Sequence, residues 1–288
     1  MKISVVISNY NYGRYLQATL DSVWAQTNTD YEVILVDDGS TDDSREILDR
    51  LKHPRLNIIF QINGGQAAAF NTAMAKATGE LIAFLDADDL WDPSKLTQAE
   101  AAFRNDSELS LYTHNFRKID AEGRVTTESV LQPQQRPRRL ADAILRTELD
   151  LSIPPSSFVV GKRKDLMPIF PLDEPLWRIA ADTPVILAMA FAGATLVDQQ
   201  VLGSYRWHGR NHGNTHTERD LLPFYEKYFA CANAFAEKHG LTERAQFHHT
   251  DFYLGQMILQ HARWTPLGLY FRAMRAYRKN RRAAALQK

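Results

Sequence analysis

The fold is decided by residues 79–89, which read GELIAFLDADD. The apolar run from Leu81 to Leu85 has the length and composition of a strand that is buried on both faces of a parallel sheet. It ends directly in an acidic cluster that contains Asp86, Asp88 and Asp89. In open α/β sheets, ligands bind just beyond the carboxyl ends of the strands. This stretch therefore predicts a central strand and a ligand site that follows it.

Short β-rich runs alternate with helical patterns on both sides of this stretch. The predicted strands are 3–7, 32–36, 56–60 and 109–116, and the predicted helices are 12–25, 66–77 and a segment from Pro93 to about 105. A hairpin turn is predicted near residues 121–123, and the Gln-, Pro- and Arg-rich residues 132–139 suggest an exposed loop. This alternation is typical of βαβ units. We expect an α/β fold with a mostly parallel central sheet flanked by helices, followed by a C-terminal helical extension.

The composition narrows the class of protein. The 288 residues include 34 Lys and Arg and 34 Asp and Glu, so no overall charge favours nucleic acid as a partner. The single cysteine, Cys231, cannot form an internal disulfide, which indicates a reducing compartment. The opening apolar run is too short for a signal-peptide core, and no stretch approaches the roughly 18 apolar residues of a membrane span. The sequence predicts a cytoplasmic protein.

Two acidic clusters follow two different predicted strands. Asp37 and Asp38 come after the second strand, and Asp86 and Asp88 come after the fourth. Because both clusters lie at equivalent ends of one predicted sheet, we expect them to face one crevice. An Asp-x-Asp pair can hold a hard divalent cation and leave positions for substrate phosphates. The alternative is that these aspartates only cap helices or solvate loops.

Three linked motifs give the sequence a specific resemblance. Residues 5–11 (VVISNYN), 36–42 (VDDGSTD) and 79–89 occur in the order and spacing of inverting family 2 glycosyltransferases. The resemblance implies the A-type glycosyltransferase fold of nucleotide-diphospho-sugar transferases. It is strong to about residue 100, weaker to about 210 and absent beyond. It implies a catalytic domain over 1–210, with a nucleotide-sugar-binding half (1–105) and an acceptor-binding half (106–210), and places the extension at 211–288.

The resemblance also implies a donor site. Ser8 and Tyr10 would line the base pocket, Asp38 would accept a hydrogen bond from the nucleobase, and Asp86 would lie near the ribose. Asp88 would bind a magnesium or manganese ion that bridges the diphosphate. The complete set of implied nucleotide-sugar-binding residues is Ser8, Tyr10, Asp38, Gly65, Asn71, Asp86, Ala87 and Asp88. Phe70 stands where members of the family often have Arg, so the resemblance does not specify a uridine nucleotide.

The turn before the second long helix offers a further donor contact. Asn63, Gly64 and Gly65 would present backbone amides and a helix N-terminus to an anion. The alternative is that the two glycines only make the turn.

An inverting transfer needs a base that takes the proton of the acceptor hydroxyl. Asp182 matches the family's base; it could also serve only as the N-cap of the apolar helix that follows. His208 lies in a segment that resembles the one returning to the site in this family, which implies that His208 approaches the diphosphate or metal. The alternative is that it is an ordinary surface or core histidine. Trp177 and Trp207 could stack on an acceptor sugar, although such aromatic residues more often lie in the core.

The sequence thus favours an inverting, metal-dependent glycosyltransferase that transfers a sugar to a saccharide or lipid-linked acceptor in cell-surface polysaccharide or glycolipid synthesis. A non-catalytic nucleotide-sugar-binding protein that retains the fold is the alternative. A nicotinamide-dependent oxidoreductase is disfavoured, because residues 8–13 (SNYNYG) lack its glycine-rich turn. The basic, aromatic residues 270–282 fit either peripheral contact with the inner face of a membrane or a solvated helix face.

Overall fold

The computed structural model describes residues 1–130, 139–145, 159–208, 218–242 and 244. Of these, residues 1–130, 139–145, 159–208, 227–242 and 244 belong to one compact unit, which contains the sheet and the candidate site described below. Residues 218–226, the beginning of the last described helix, belong to a second unit.

Strands and helices alternate through the first hundred residues and become irregular afterwards. The strands are Ile3–Asn9 (β1), Tyr31–Asp37 (β2), Leu56–Phe60 (β3), Leu81–Asp86 (β4), Leu90–Trp91 (β5), Leu109–Ile119 (β6), Val125–Thr127 (β7), Val159–Lys162 (β8) and Ala194–Arg206 (β9). The helices are Gly13–Trp24 (α1), Ser44–Arg50 (α2), Gln66–Met74 (α3), Lys95–Asn105 (α4), Leu140–Leu145 (α5), Arg163–Leu166 (α6), Asp182–Ala192 (α7) and Glu218–Lys238 (α8).

Across the described residues, the strands form one mixed sheet. Its order is β3-β2-β1-β4-β8-β6-β9-β5, and β7 pairs with β6. The four strands from β3 to β4 are parallel to one another. Beyond β4 the pairs are antiparallel, except that β6 and β9 run parallel. The predicted α/β class is confirmed, but only the N-terminal half of the sheet is wholly parallel.

The parallel half follows directly from the sequence. β1, β2 and β4 are rich in Val, Ile and Leu, and helices cover both faces of a parallel sheet, so their side chains are almost all buried. On α1, Leu16, Leu20 and Val23 share the buried face at helical spacing. On α3, small alanines bring the helix close to the sheet, and the ring of Phe70 lies 4.9 Å from that of Phe84.

The mixed half arises from pairings between residues distant in sequence. β8 is only four residues long, and it lies between β4 and β6, antiparallel to both. The predicted hairpin is confirmed: β6 and β7 pair antiparallel, and Gly123 donates to the carbonyl of Asp120 with a φ of 87°.

Several predictions fall on parts of the chain outside the described residues. They are the loop at 132–138, the domain boundary between 210 and 211, and the basic stretch at 270–282. α8 is helical as predicted for the extension. None of the helices described is both long enough and apolar enough to cross a membrane.

Candidate functional site

The carboxyl ends of β1, β2 and β4 lie side by side. In the register of these strands, Asn9 is opposite Asp37, and Ser8 is opposite Asp86. The two acidic clusters therefore lie at the same edge of the sheet, as the sequence predicts.

Asp37 has a structural role at this edge. Its carboxylate accepts hydrogen bonds from Asn9 Nδ2 (2.7 Å) and from the Ser40 hydroxyl (2.6 Å). The side chain is almost fully buried, so these bonds satisfy a charge that is shielded from water. Asp37 thus ties the end of β1 to the turn after β2.

Asp38 organises the loop that precedes α3. Oδ1 accepts from Gln61 Nε2 (2.7 Å) and from the amide of Gly64 (2.9 Å). Oδ2 accepts from Asn63 Nδ2 (3.0 Å) and from the amide of Gly65 (2.8 Å). A carboxylate has about four acceptor positions, and the loop uses all of them. The implied bond from Asp38 to a nucleobase stays a prediction, and it would have to replace or share one of these contacts.

The amides of Gly64 and Gly65 do not form the open anion site that the sequence suggested. They donate to Asp38, because the loop folds back over the end of β2. Gly65 has a φ of 91°, and a Cβ there would lie 2.6 Å from the carbonyl oxygen of Arg178. The glycines therefore make the turn and allow a close approach of another backbone.

Hydrogen bonds from α1 hold the backbone of the Asp-x-Asp segment that follows β4. The Thr19 hydroxyl on α1 lies 2.9 Å from the carbonyl oxygen of Ala87 and 3.0 Å from that of Asp89. Ala87 is fully buried, whereas Asp86 is partly exposed at the end of its strand. The backbone contacts hold the two carboxylates of the motif in a defined turn.

Asp88 is paired with His208. Asp88 Oδ2 lies 2.9 Å from His208 Nε2, and both side chains are buried. The imidazole stacks on the ring of Tyr15 at 5.2 Å and meets the ring of Tyr12 edge-on at 5.6 Å. The structure therefore brings together the two residues for which the sequence predicted a metal contact, although they are 120 residues apart in the chain.

Arg206 braces the same segment from β9. Its amide donates to Asp89 Oδ1 (2.8 Å), and its Nε donates to the carbonyl oxygen of Asp88 (2.8 Å). The guanidinium carbon lies 4.7 Å from the centre of the Tyr15 ring. Arg206 is buried, so its charge offsets the surrounding carboxylates in a poorly hydrated place.

A second basic side chain lies near Asp89. Lys95 is fully buried, and its Nζ lies 3.5 Å from the centre of the Trp91 ring. Burial holds the pKa of Lys95 well below its usual value, and the charge of Asp89 opposes that shift.

Two tyrosines mark where the acidic residues converge. Burial raises the pKa of Tyr205, and the negative charges of Asp89, Asp86, Asp88 and Asp182 raise it further. Burial also raises the pKa of Tyr12, with further contributions from Asp88, Asp86 and Asp89. Asp182 thus acts on the same hydroxyl as the aspartates that follow β4.

Asp182 is the first residue of α7. The structure places the N-cap one residue earlier, at Ala181, whose methyl side chain cannot accept a hydrogen bond, so the roles of base and of helix-end stabiliser both stay predictions for Asp182. A carboxylate in the first helical turn is still stabilised by the helix dipole. Asp182 is partly exposed, which leaves it accessible to a substrate.

The donor set at this edge fits a cation only with help from a substrate. Among the residues described, no group of three or more His, Cys, Asp or Glu side chains is arranged to hold a metal ion. Asp88 and His208 form a pair of one carboxylate and one imidazole. Magnesium and manganese are commonly held by one or two carboxylates together with phosphate oxygens. The pair therefore fits a metal that also binds a diphosphate.

The remaining predicted residues differ in their surroundings. Asn71 donates to the carbonyl oxygen of Leu172 (3.0 Å) and accepts from its amide (2.6 Å), so it supports the segment before α7. Tyr10 is 43% exposed beside the partly exposed Ser8. Trp177 is only 5% exposed and belongs to the core, which is the alternative to stacking that the sequence left open. Trp207 is 48% exposed and remains available for an acceptor.

The sequence analysis missed several residues of the site. Tyr12 and Tyr15 had a signal, because they are three residues apart across the start of α1, and that spacing places side chains on one face of a helix. Arg206 had a signal as well, because it ends β9 two residues before the predicted His208, and residues two apart share one side of an extended chain. Tyr205 had no signal, because its proximity to four aspartates depends on the folded chain.

Three comparisons relate this arrangement to known proteins. A family model described as Glycosyl transferase family 2 matches residues 4–168. An uncharacterized glycosyltransferase of Nostoc sp. is 42% identical over 214 residues, which are 73% of this chain and 66% of that protein. Chondroitin synthase of Escherichia coli is 37% identical over 146 residues, which are 50% of this chain and 21% of that protein. The crystal structure of S. aureus TarS 1-349 in complex with UDP superposes with a TM-score of 0.58 at 19% identity, covering 92% of this chain and 73% of that one, so the fold is shared.

Proposed function

The chain belongs to glycosyl transferase family 2, as its three motifs predict, and from that membership we propose that it is an inverting glycosyltransferase. It would transfer a sugar from a nucleotide-sugar donor to the hydroxyl of an acceptor. The observation that carries the proposal is the pairing of Asp88 with His208 (2.9 Å) at the edge of the sheet where β1, β2 and β4 end in the family motifs. The negative charge of Asp182 acts on the same Tyr205 hydroxyl as the charges of Asp86 and Asp88, which supports its role as the acceptor-side carboxylate.

The donor would bind at the carboxyl ends of β1, β2 and β4. Ser8 and Tyr10 would line the base, Asp38 would stand at the nucleobase, and Asp86 would stand at the ribose. The partial exposure of Ser8, Tyr10 and Asp86 supports this arrangement. The TarS structure that shares the fold is a complex with UDP, which supports a nucleoside diphosphate as the leaving group.

Asp88 and His208 would hold a magnesium or manganese ion against the diphosphate. Such a cation stabilises, as a Lewis acid, the negative charge that develops on a departing nucleoside diphosphate. Burial of both side chains strengthens their electrostatic effect on a ligand, because water screens it little. Arg206 and the Thr19 hydroxyl would keep Asp88 in position.

Asp182 would act as the general base. The acceptor oxygen attacks the anomeric carbon from the face opposite the leaving group, and the bond from that carbon to the diphosphate oxygen breaks. The proton of the acceptor hydroxyl passes to the Asp182 carboxylate. The diphosphate keeps the electron pair of the broken bond, and the sugar leaves with inverted configuration.

The acceptor would be a saccharide or a lipid-linked saccharide. The exposed indole of Trp207 follows Tyr205 by two residues, and the two ring centres are 6.3 Å apart. An apolar sugar face can stack on such a ring. The name of the related chondroitin synthase supports polysaccharide synthesis as the setting.

The test measures release of nucleoside diphosphate from a panel of nucleotide sugars with manganese, with and without saccharide acceptors. Asp182→Asn should lower the transfer kcat by about 10²- to 10⁴-fold, because it removes the base. It should leave the melting shift produced by nucleoside diphosphate and manganese unchanged. Asp88→Asn should reduce both quantities.

The matched control is Asp49→Asn, an exposed aspartate on α2, which should match the wild type in both measurements. Transfer at the wild-type rate by Asp182→Asn would remove the base assignment. A wild-type protein that binds nucleoside diphosphates but never releases one from a sugar would instead favour the non-catalytic alternative.

A further inference from the structure

The loop that leads into Asp182 has an unusual backbone conformation. Ala180 has a φ of 62°, in the left-handed region that residues with a Cβ rarely adopt. Such a conformation persists only where its surroundings hold it, and it often occurs at functional sites. Ala180 is two residues before Asp182, so a change in its backbone moves the carboxylate.

One side chain holds this loop in place. Gln66, the first residue of α3, accepts a hydrogen bond at its Oε1 from the amide of Ala181 (2.9 Å). The main-chain amide of Gln66 donates to the carbonyl oxygen of Arg178 (2.9 Å). The amide of Thr183 donates to the carbonyl oxygen of Ala180 (3.1 Å) and closes the turn. Gln66 thus binds the loop on both sides of Ala180, through its main chain at Arg178 and through its side chain at Ala181.

The same contacts reach the donor-side loop. Asp38 binds the amide of Gly65 and the side chain of Asn63, the residues that precede Gln66. The Arg178 guanidinium donates to the side-chain oxygen of Asn63. A continuous set of hydrogen bonds therefore runs from Asp38 to the residue before Asp182.

We propose that Gln66 is a positioning residue for Asp182, holding the left-handed turn at Ala180 so that the carboxylate reaches the acceptor hydroxyl. The proposal rests on the proposed role of Asp182 as the base. Without the acceptor oxygen of Gln66, the amide of Ala181 loses its partner, and the loop can relax to an ordinary φ. Proton transfer requires hydrogen-bond reach, and a displacement of about 1 Å can cost about 10²-fold in rate.

The experiment compares Gln66→Met, which keeps the length of the side chain without its acceptor, with Gln66→Glu, which keeps an oxygen acceptor. We expect Gln66→Met to lower the transfer kcat by about 10- to 100-fold, with the KM for the donor within about twofold of the wild type. Gln66→Glu should recover most of the lost kcat. The control is Gln98→Met on α4, a partly buried glutamine elsewhere on the chain, which should leave kcat and KM unchanged.

Folding is checked by the melting shift with nucleoside diphosphate and manganese. If Gln66→Met does not fold, Gln66→Ala takes its place, because alanine suits the start of this Ala-rich helix. Failure of both variants to fold would overturn the proposal, since Gln66 would then serve stability.

The outcomes also separate this proposal from the proposed function. A wild-type rate in Asp182→Asn rejects the base assignment and the positioning role of Gln66 with it, while the transfer activity itself stands. An inactive Asp182→Asn together with an unchanged kcat in Gln66→Met, or with a loss confined to the donor KM, overturns only the positioning role.

Discussion

Replacing Asp38 by asparagine tests whether its carboxylate holds the loop before α3. In the native chain, each carboxylate oxygen accepts one main-chain amide and one side-chain amide. The substitution turns one of these oxygens into an NH₂ group, which donates rather than accepts. We expect a large loss of stability, although the two side chains are nearly the same size.

The size of the stability loss depends on which hydrogen-bond donors can reorient. Whichever way the substituted side chain is turned, its NH₂ group faces the amide of Gly64 or of Gly65. Those main-chain amides cannot turn away, whereas Gln61 or Asn63 could flip only by giving up its other contacts. Two hydrogen bonds to a charged acceptor, at about 1.5 kcal/mol each or more, give a destabilisation of about 3 kcal/mol. For a chain of this size that corresponds to a fall in Tm of roughly 6–12 °C.

The assay is thermal unfolding followed by circular dichroism, with Asp49→Asn as the control for removal of a negative charge. Asp49 is exposed on α2, so its variant should melt within about 1 °C of the wild type. A fall of less than about 2 °C in Asp38→Asn would refute the reasoning that these four hydrogen bonds fix the loop.

Three further predictions concern pH, the acceptor and the metal. Burial raises the pKa of Glu32, but hydrogen bonds from three neighbouring residues outweigh that effect and lower the pKa to about 2. The ionised carboxylate therefore stabilises the fold above the usual pKa of 4.5, and this stabilisation is lost as the pH falls from 4.5 towards 2. The Tm advantage of the wild type over Glu32→Gln should shrink across that range, and an unchanged difference would contradict the prediction. Trp207→Ala should raise the acceptor KM by up to about tenfold with an unchanged donor KM, and equal effects on both substrates would argue against stacking. His208→Ala should lower transfer at least about tenfold and raise the manganese concentration that gives half-maximal rate, as titration of the metal would show; an unchanged titration would exclude His208 from the metal site.

The sequence predicts the parallel half of the fold because its information is local. β1, β2 and β4 are apolar runs that end in polar motifs, and parallel strands bring those ends together. β8 could not be predicted in the same way, because four residues carry little periodicity and its partners are β4 and β6. The antiparallel pairs around it are tertiary contacts between distant residues.

For the site, the sequence predicts which residues carry charge but not how their hydrogen-bonding capacity is used. Asp38 and Asp88 are equivalent in sequence, since each follows a strand within an acidic pair. In the folded chain, Asp38 is saturated by four donors from the loop before α3. The carboxylate of Asp88 has one side-chain partner among the described residues, which is His208. The difference arises because the partners of both carboxylates are distant in sequence and meet them only in the folded chain.

This difference suggests separate roles for the Asp38 loop and for Asp88. A carboxylate that already satisfies four donors is costly to move, so Asp38 and the loop it holds form a rigid frame. Gln66 extends that frame to the turn at Ala180, where the backbone would relax without it. Asp88 lies between an imidazole and a guanidinium-braced backbone and retains acceptor positions for a cation. The saturated contacts thus lie beside the proposed base, where a fixed position favours proton transfer, and the acceptor positions of Asp88 lie at the proposed diphosphate site, where negative charge would develop on the leaving group.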